Sequence, residues 1–421
     1  MRTAARTDRG GGGAPPSRLG VYYDTIYHLV QTPEGPRVSS DRSFLLFVCA
    51  VGADFDRLVV FGRTVRVSAL GEYVLPPDVE LVELPPYSNL RRLGEVAAAA
   101  VGTVRGFWRG LDRVDTVWIF GPHPFAVVLA GLALVRRKRI VLGVRQHSVR
   151  LYATRLEGWR RVAGVTAMRL LDGVYRALGA RVPVTVQGVE LEEWYRGPRS
   201  GVLAMTESVV RASDVVETPL PRDWSGTLEL LTVGRLEPEK NPLLLVDALT
   251  RLDRDVPGRY RLTWVGRGPL EHDVHEHAQR LGVSGLIDFI GYVPFDGGLL
   301  DLYRRAHVFV HVSLSEGMPK VLIEALASAT PVVATDVGGV RAALADGSAG
   351  LLVPPDDLDA LIAAVRRLED DHLRERLVAQ GVELVRGMTL EAEAARVVDF
   401  IRGGHDREKT AAAGLAGSAR A

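Results

Sequence analysis

The sequence predicts an α/β protein with two Rossmann-like, doubly wound parallel-sheet domains that face each other across a cleft. Short apolar, β-branched runs alternate with helical segments over most of the chain, and the alternation is interrupted once near the middle. The 421 residues are enough for two domains of ordinary size. Ligands of such sheets lie beyond the carboxyl ends of the strands, so we expect the site in the loops that follow them.

Changes in composition set the predicted boundaries. Pro219, Pro221 and the pair Ser225-Gly226 mark a linker between the two sheets. The predicted division is a flexible tail at 1–17, a first domain at 18–218, a linker at 219–227, a second domain at 228–386, a last helix at 387–403 and a second flexible tail at 404–421.

In the first domain, polar side chains follow two of the predicted strands. His123 and His147 come shortly after the strands at 116–120 and 140–144, so we expect them at the cleft. The other predicted strands are 19–23, 58–61, 79–84, 183–186 and 202–205. The predicted helices are 43–51, 95–109, 125–135, 150–176 and 191–196.

In the second domain, most of the predicted strands end at a glycine. The strands are 228–233, 262–265, 287–290, 308–312 and 332–335, and the helices are 243–252, 270–281, 299–305, 360–368 and 390–401, with another that begins near Pro319. Gly234, Gly266 and Gly291 directly follow the first three strands, which suits loops in which the backbone approaches a ligand closely.

Composition excludes several classes of function. The formal net charge is +1, so no overall field favours nucleic acid. Cys49 is the only cysteine and cannot form an intrachain disulfide, and the amino terminus has no apolar signal segment, so we expect a cytoplasmic protein. The chain has neither a Gly-x-Gly-x-x-Gly stretch after a predicted strand nor a P-loop, and no metal-ligand spacing, so we expect no cofactor.

The stretch 313–339 combines two glutamates with the start of a helix. Seven residues separate Glu316 from Glu324, and Gly317 and Pro319 between them are typical of a turn into a helix. A helix amino terminus suits a phosphate, and a carboxylate on each side can accept hydrogen bonds from a sugar diol. The pattern predicts a nucleotide-sugar site; the alternative is a solvated helix with two surface glutamates.

The loop after the strand at 228–233 carries a pair of cations. Arg235 can bind two phosphate oxygens at once, and Lys240 acts as a point charge. Together they could neutralise a departing diphosphate. A surface loop of Arg–Glu–Lys salt bridges is the alternative.

With these residues in place, 226–400 resembles family 4 of the retaining glycosyltransferases, which have the GT-B fold. Four features match in order: Gly234-Arg235 with Lys240, Gly266-Arg267-Gly268-Pro269, Gly291-Tyr292-Val293, and the two glutamates. The resemblance implies that the last helix crosses back onto the first domain and that no metal is used. It implies catalytic roles for Arg235, Lys240 and Glu316, and donor binding by Gly234, Gly266, Gly268, Tyr292, Gly317, Met318, Pro319 and Glu324.

The first half departs from that family. Its first strand leads into Asp24–His28 without paired glycines, and Thr206-Glu207-Ser208 replaces an Asn-Gly-Val-Asp turn. His123 and His147 lie about two positions later than the family's histidines, and they are our acceptor-side candidates.

The predicted activity is retaining transfer of a hexosyl unit from a nucleotide-diphosphate sugar to an acceptor hydroxyl, as in polysaccharide biosynthesis. The alternatives are a GT-B nucleotide-sugar epimerase and a non-catalytic nucleotide-sugar binder. Basic residues at 136–139 and 150–176 suit an anionic membrane surface, and the alternative is a solvated basic face. The expected partners are a nucleotide-sugar donor and a glycan or lipid-linked acceptor, and the membrane reading adds peripheral contact with the inner face of the membrane.

Overall fold

The computed structural model describes residues 17–33, 35–88, 92–147, 149, 158–197, 201–217 and 221–403. Both predicted tails, apart from Ser17, and part of the predicted linker lie outside the described residues. The same holds for all of 150–157, which includes Arg155 and the beginning of the helix predicted at 150–176.

The amino-terminal domain is built on a parallel sheet with an antiparallel extension. The parallel part has the order β5–β3–β1–β6–β7–β8–β9, and β2 and β4 extend it from β1 in antiparallel pairing. The strands are β1 Arg18–Thr32, β2 Gly35–Ser40, β3 Arg57–Arg66, β4 Tyr73–Val74, β5 Glu80–Leu84, β6 Thr116–Gly121, β7 Arg139–Val144, β8 Val184–Gln187 and β9 Val202–Met205.

The first strand is three times as long as predicted. The segment from Asp24 to His28, expected as a loop, continues β1 across a register shift between Tyr22 and Ile26. It stays extended because β3 and the unpredicted β2 supply backbone partners, and because Tyr27 is buried.

Helices cover both faces of this sheet. They are α1 Phe44–Gly52, α2 Leu93–Gly110, α3 Pro124–Val135, α4 Gly158–Gly179 and α5 Val189–Tyr195. Helix α1 packs on one face around Trp118, while α2 and α3 pack on the other around Phe107 and Ile119. No helix among the described residues is long and apolar enough to cross a membrane.

The carboxyl-terminal domain has a six-stranded, fully parallel sheet in the order β12–β11–β10–β13–β14–β15. Its strands are β10 Leu228–Val233, β11 Tyr260–Val265, β12 Ile287–Gly291, β13 Val308–His311, β14 Val332–Thr335 and β15 Leu351–Val353. Its helices are α6 Pro242–Asp255, α7 Glu271–Arg280, α8 Leu299–Arg305, α9 Lys320–Ala327, α10 Val340–Ala343, α11 Leu358–Arg367 and α12 Asp371–Arg386. The predicted fold class is confirmed, although β15, α10 and α12 were not predicted.

The last helix, α13 Leu390–Arg402, packs on the amino-terminal sheet. Its apolar side chains join the core formed by α1, β1 and β3. The buried carboxylate of Glu393 accepts a hydrogen bond from the backbone N–H of Thr206 at 3.0 Å. Burial raises the pKa of Glu393 above its ordinary value. Helix α13, which follows the second domain in the chain, therefore packs against the first domain.

Candidate functional site

The loops after β10, β11 and β12 interlock at the carboxyl edge of the second sheet. The N–H of Gly234 donates to the carbonyl of Val265 at 2.9 Å, and the N–H of Gly266 donates to that of Gly291 at 2.7 Å. Gly266 has a φ of +137°, and a Cβ there would overlap the carbonyl group of Gly234. Glycine is thus required at this crossing, which brings three predicted donor-binding segments together.

A cavity of about 490 Å³ opens where these loops meet the amino-terminal domain. Of the predicted site residues, its wall includes Gly234, Arg235, Gly266, Tyr292 and Glu324. Apolar wall comes from Val265, Val293, Phe295 and Leu299, and the amino-terminal domain contributes Ser43, Tyr73 and Val209. A mostly apolar cleft with a few convergent polar groups is the usual form of a cofactor or nucleotide site.

Glu316 is the centre of a polar cluster in the loop after β13. Lys240 Nζ forms an ion pair with its Oε1, the hydroxyl of Ser313 donates to the same oxygen at 2.7 Å, and Nε2 of His311 lies 2.9 Å from it. All three contacts are to Oε1. Burial alone would raise the pKa of Glu316, but His311 and Lys240 outweigh it and lower that pKa to about 2.

Glu324 lies in α9, one to two turns from the helix start, and it is buried. Its carboxylate accepts a hydrogen bond from the hydroxyl of Tyr303 at 2.9 Å. Burial raises the pKa of Glu324, whereas Tyr303 and the nearby Lys320 act in the opposite direction. A buried carboxylate in a cavity wall is costly unless further hydrogen bonds reach it, which a vicinal diol would provide.

Arg235 lies in the cavity wall, but its guanidinium is held by its own loop. It forms ion pairs with Glu237 and Glu239, the second at 3.4 Å, and its side chain is 57% exposed. The two cations of the predicted pair therefore bind different carboxylates in this structure: Lys240 binds Glu316, and Arg235 binds the glutamates of its own loop. In this structure Arg235 forms the surface salt bridges that were the alternative to phosphate binding. To bind a diphosphate, its guanidinium would have to leave these glutamates.

Three of the four remaining predicted donor-side residues directly precede α9, and the fourth, Gly268, lies against the loop after β10. Pro319 is the residue before α9, and Gly317 and Met318 precede it. Gly338, with a φ of +51°, packs so closely that a Cβ there would overlap the carbonyl group of Glu316. Gly268 packs in the same way against the backbone of Leu236, so it shapes the loop after β10. Glycines thus fix the loops that present Glu316 and Arg235.

Sequence reasoning missed a buried ion network between the two domains. The carboxylate of Glu207, after β9, is fully buried and is bound through both oxygens by Arg145, which follows β7. Lys320 Nζ, from the start of α9, lies 3.7 Å from the same carboxylate and also lines the cavity. Burial lowers the pKa of Lys320, while Glu207 acts to raise it. The available signal was that Arg145 and Glu207 lie just beyond buried strands.

The two predicted acceptor-side histidines have different surroundings. His123 is the residue before α3, and its Nδ1 accepts the N–H of Phe125 at 3.3 Å. Its Nε2 lies 3.2 Å from a carboxylate oxygen of Asp24 and 3.3 Å from the hydroxyl of Tyr87, so both ring nitrogens are engaged. Burial lowers the pKa of His123, which favours the neutral ring. The ring of His147 packs against that of Trp194 with centroids 5.1 Å apart.

A second cavity, of about 540 Å³, lies away from the strand-end loops, between α12 and the segment before β10. Arg222, Trp224 and Arg374 are in its wall, and the Arg374 guanidinium stacks on Trp224 at 3.7 Å. None of the predicted site residues lines it. In the described part of the chain, no group of three His, Cys, Asp or Glu side chains is placed to hold a metal ion.

Comparison with known families locates the similarity in the carboxyl-terminal domain. Residues 224–383 match the family model described as glycosyl transferases group 1. The chain is 35% identical over 230 residues to the D-inositol 3-phosphate glycosyltransferase of Kribbella flavida, covering 52% of this chain and 50% of that protein. It is 38% identical over 180 residues to the phosphatidyl-myo-inositol mannosyltransferase of Mycolicibacterium smegmatis, covering 41% and 45%. The chain spans about half the length of the curated relatives it matches.

Comparison with solved structures supports the architecture of the whole chain. A sucrose-phosphate synthase from Thermosynechococcus elongatus aligns with a TM-score of 0.64 at 20% identity, covering 94% of this chain and all of that one. Anabaena HepE in complex with UDP and glucose aligns with the same score at 15% identity, covering 92% and 100%. Together with the two parallel sheets, these alignments establish the GT-B fold.

Proposed function

We propose that this protein is a metal-independent, retaining glycosyltransferase that transfers a hexosyl unit from a nucleotide-diphosphate sugar to an acceptor hydroxyl. The observation that carries the proposal is the convergence of the predicted loops on one cavity, with Glu324 in its wall and the Lys240–Glu316 pair in the adjoining loops. The group 1 match over 224–383 covers every one of these loops.

The cavity suggests where each part of the donor binds. Its apolar wall at Val265 and Val293 suits a base, and the Glu324 carboxylate suits the ribose diol. The amino terminus of α9 and the cations Lys240 and Arg235 suit the diphosphate. Oε2 of Glu316 then accepts hydroxyls of the transferred sugar.

The proposed reaction needs no nucleophile from the protein. The bond from the sugar C1 to the diphosphate oxygen breaks as the acceptor oxygen bonds to C1 from the same face. The acceptor proton passes to the departing phosphate oxygen, and the nucleoside diphosphate leaves. Lys240 acts by stabilising the negative charge that develops on that oxygen, which is usually a large term in such sites.

The acceptor is proposed to bind against the amino-terminal domain, where His123 and His147 remain the predicted acceptor-side residues. It is a glycan, a lipid-linked molecule or a small molecule, and a lipid-linked acceptor would bring the protein to the cytoplasmic face of a membrane. Two relatives are named for D-inositol 3-phosphate and phosphatidyl-myo-inositol, so both compounds belong in an acceptor panel.

The test is a transfer assay with labelled UDP-, GDP- and ADP-sugars, with and without the acceptor panel. We expect nucleoside diphosphate and a glycosylated product only when an acceptor is present. NMR of the product should show the same anomeric configuration as in the donor. Conversion of the donor alone would instead indicate an epimerase. Donor binding without any transfer across the panel would indicate a non-catalytic binder.

A further inference from the structure

Helix α4 buries a carboxylate and exposes several aliphatic side chains. Its only acidic residue, Asp172, is buried and accepts hydrogen bonds from the hydroxyl of Tyr195 at 2.7 Å and from Nε1 of Trp194 at 3.0 Å. Its aliphatic residues Leu170 and Val162 are instead 70% and 69% exposed. A helix that buries a carboxylate and exposes leucine and valine has a solvent-facing surface suited to an apolar environment.

The two neighbouring helices continue this surface. Helix α3 has no charged or polar side chain along its whole length. Only one side of it is buried, through residues such as Leu129, whereas Val128 and Val135 are exposed. On α2, Val101 is 63% exposed. We call these exposed side chains on α2, α3 and α4 the outer helical face.

The outer helical face is also strongly basic. The segments 92–110, 124–139 and 158–179 contain eleven basic residues and two acidic ones, a net charge of +9 in a chain whose total is +1. Of the two acidic residues, Asp172 is buried and Glu95 is bound by Ser88 and Arg92. The basic residues are Arg92, Arg105, Arg109, Arg136, Arg137, Lys138, Arg139, Arg160, Arg161, Arg169 and Arg176.

We propose that the outer helical face docks on an anionic lipid bilayer. Exposed aliphatic side chains surrounded by arginines are the combination that binds a membrane interface, where apolar groups enter the acyl boundary and cations contact anionic headgroups. A second copy of the chain is a poorer occupant, because a symmetric contact would place two predominantly basic surfaces against each other.

The position of this face gives docking a consequence for the proposed function. Helices α2, α3 and α4 each follow the carboxyl end of a strand, namely β5, β6 and β7, so they begin at the cleft edge of the sheet. Docking would place that edge near the lipid headgroups. The inference that the acceptor is lipid-linked rests on the proposed function. The inference that this face docks on a bilayer does not depend on it.

The experiment is co-sedimentation of the full chain with vesicles that contain no donor or acceptor. The vesicles are phosphatidylcholine alone, or phosphatidylcholine mixed with phosphatidylglycerol, at low and high salt. We expect binding to the mixed vesicles at low salt, and weaker binding at high salt or without phosphatidylglycerol. Absence of binding to mixed vesicles at low salt overturns the proposal, whatever the transfer assay shows.

Two variants and one control locate the contact. Arg161→Gln with Arg169→Gln should lower the partition coefficient of the protein between vesicles and solution roughly thirty-fold. Leu170→Ser with Val174→Ser should lower the same coefficient at both salt concentrations. The control, Arg254→Gln with Val256→Ser, changes exposed residues of the other domain and should bind as wild type does. Equal loss in the control overturns the proposal. The proposal is also overturned if light scattering shows that the wild-type protein is a dimer and that Leu170→Ser with Val174→Ser dissociates it.

Discussion

Lys240, in the loop after β10, forms an ion pair with Glu316, which follows β13 seventy-six positions later. The pair joins two residues that were assigned to different parts of a donor, the diphosphate and the sugar. Because both lie at the carboxyl edge of one parallel sheet, a donor bound between them would meet the cation and the carboxylate together.

Replacing Lys240 should mainly slow the chemical step. Lys240→Ala is expected to lower turnover on the order of a hundredfold, because one charge contact to the departing phosphate is lost. Steady-state kinetics with a saturating donor measures this effect, and Arg254→Gln is a control on an exposed surface cation. If the double variant Lys240→Ala with Arg235→Ala turned over at the wild-type rate, the proposed diphosphate site would be wrong.

The two glutamates should divide their effects between the nucleotide and the sugar. Glu324→Gln should weaken binding of the free nucleoside diphosphate as well as of the donor, because we propose that this cavity-wall carboxylate holds the ribose diol. Glu316→Gln should spare the free nucleotide and weaken only the sugar-bearing donor. Calorimetry with both ligands decides the matter, and equal effects of the two variants on both ligands would refute the assigned roles.

The ionisation of Glu316 should appear in the acid stability of the protein. Its pKa in the folded state is lowered from 4.5 to about 2. A lowered pKa means that the carboxylate stabilises the fold above pH 4.5, and that this contribution is lost as the pH falls towards about 2. Wild type should therefore lose more unfolding free energy than Glu316→Gln over this interval in urea titrations. Parallel losses would show that the carboxylate has no such role.

The hydrogen bond from Thr206 to Glu393 should stabilise the contact of α13 with the first domain. Glu393→Ala leaves a buried N–H unpaired, so it should lower the free energy of unfolding by about 1–3 kcal/mol. The matched control is Glu391→Ala on the same helix, whose carboxylate accepts the N–H of Ala212 at an exposed position. Chemical denaturation measures both variants. A loss for Glu391→Ala as large as that for Glu393→Ala would contradict the account.

The sequence predicted the fold class and most of the second domain because buried parallel strands consist of short β-branched runs, such as Val332–Thr335. It did not predict β2, whose segment contains Pro36 and polar residues, or the two-residue β4. Strand β2 forms because β1 continues past Tyr23 and offers it a backbone edge, and β4 in turn pairs with β2. Such pairing depends on tertiary context, which a local pattern does not contain.

The sequence predicted those site residues whose positions depend on local features of the loop or helix in which they lie. Glu316, Glu324 and Lys240 each follow a glycine, proline or strand signal that is visible locally. The contact between Arg145 and Glu207 joins residues 62 positions apart, and their places just beyond buried strands do not reveal that the two side chains meet. Glu207 is fully buried, and its partners Arg145 and Lys320 come from the two different domains.

The central claim is that the cavity between the domains binds a nucleotide-diphosphate sugar through Glu324. The most direct measurement is a thermal shift series with UDP-, GDP- and ADP-sugars on wild type and Glu324→Gln. A ligand that binds only the folded state raises Tm by an amount set by its concentration relative to its Kd. We predict that at least one donor raises the Tm of wild type and that Glu324→Gln reduces this shift. No shift with any donor, or an equal shift in the variant, would contradict the claim.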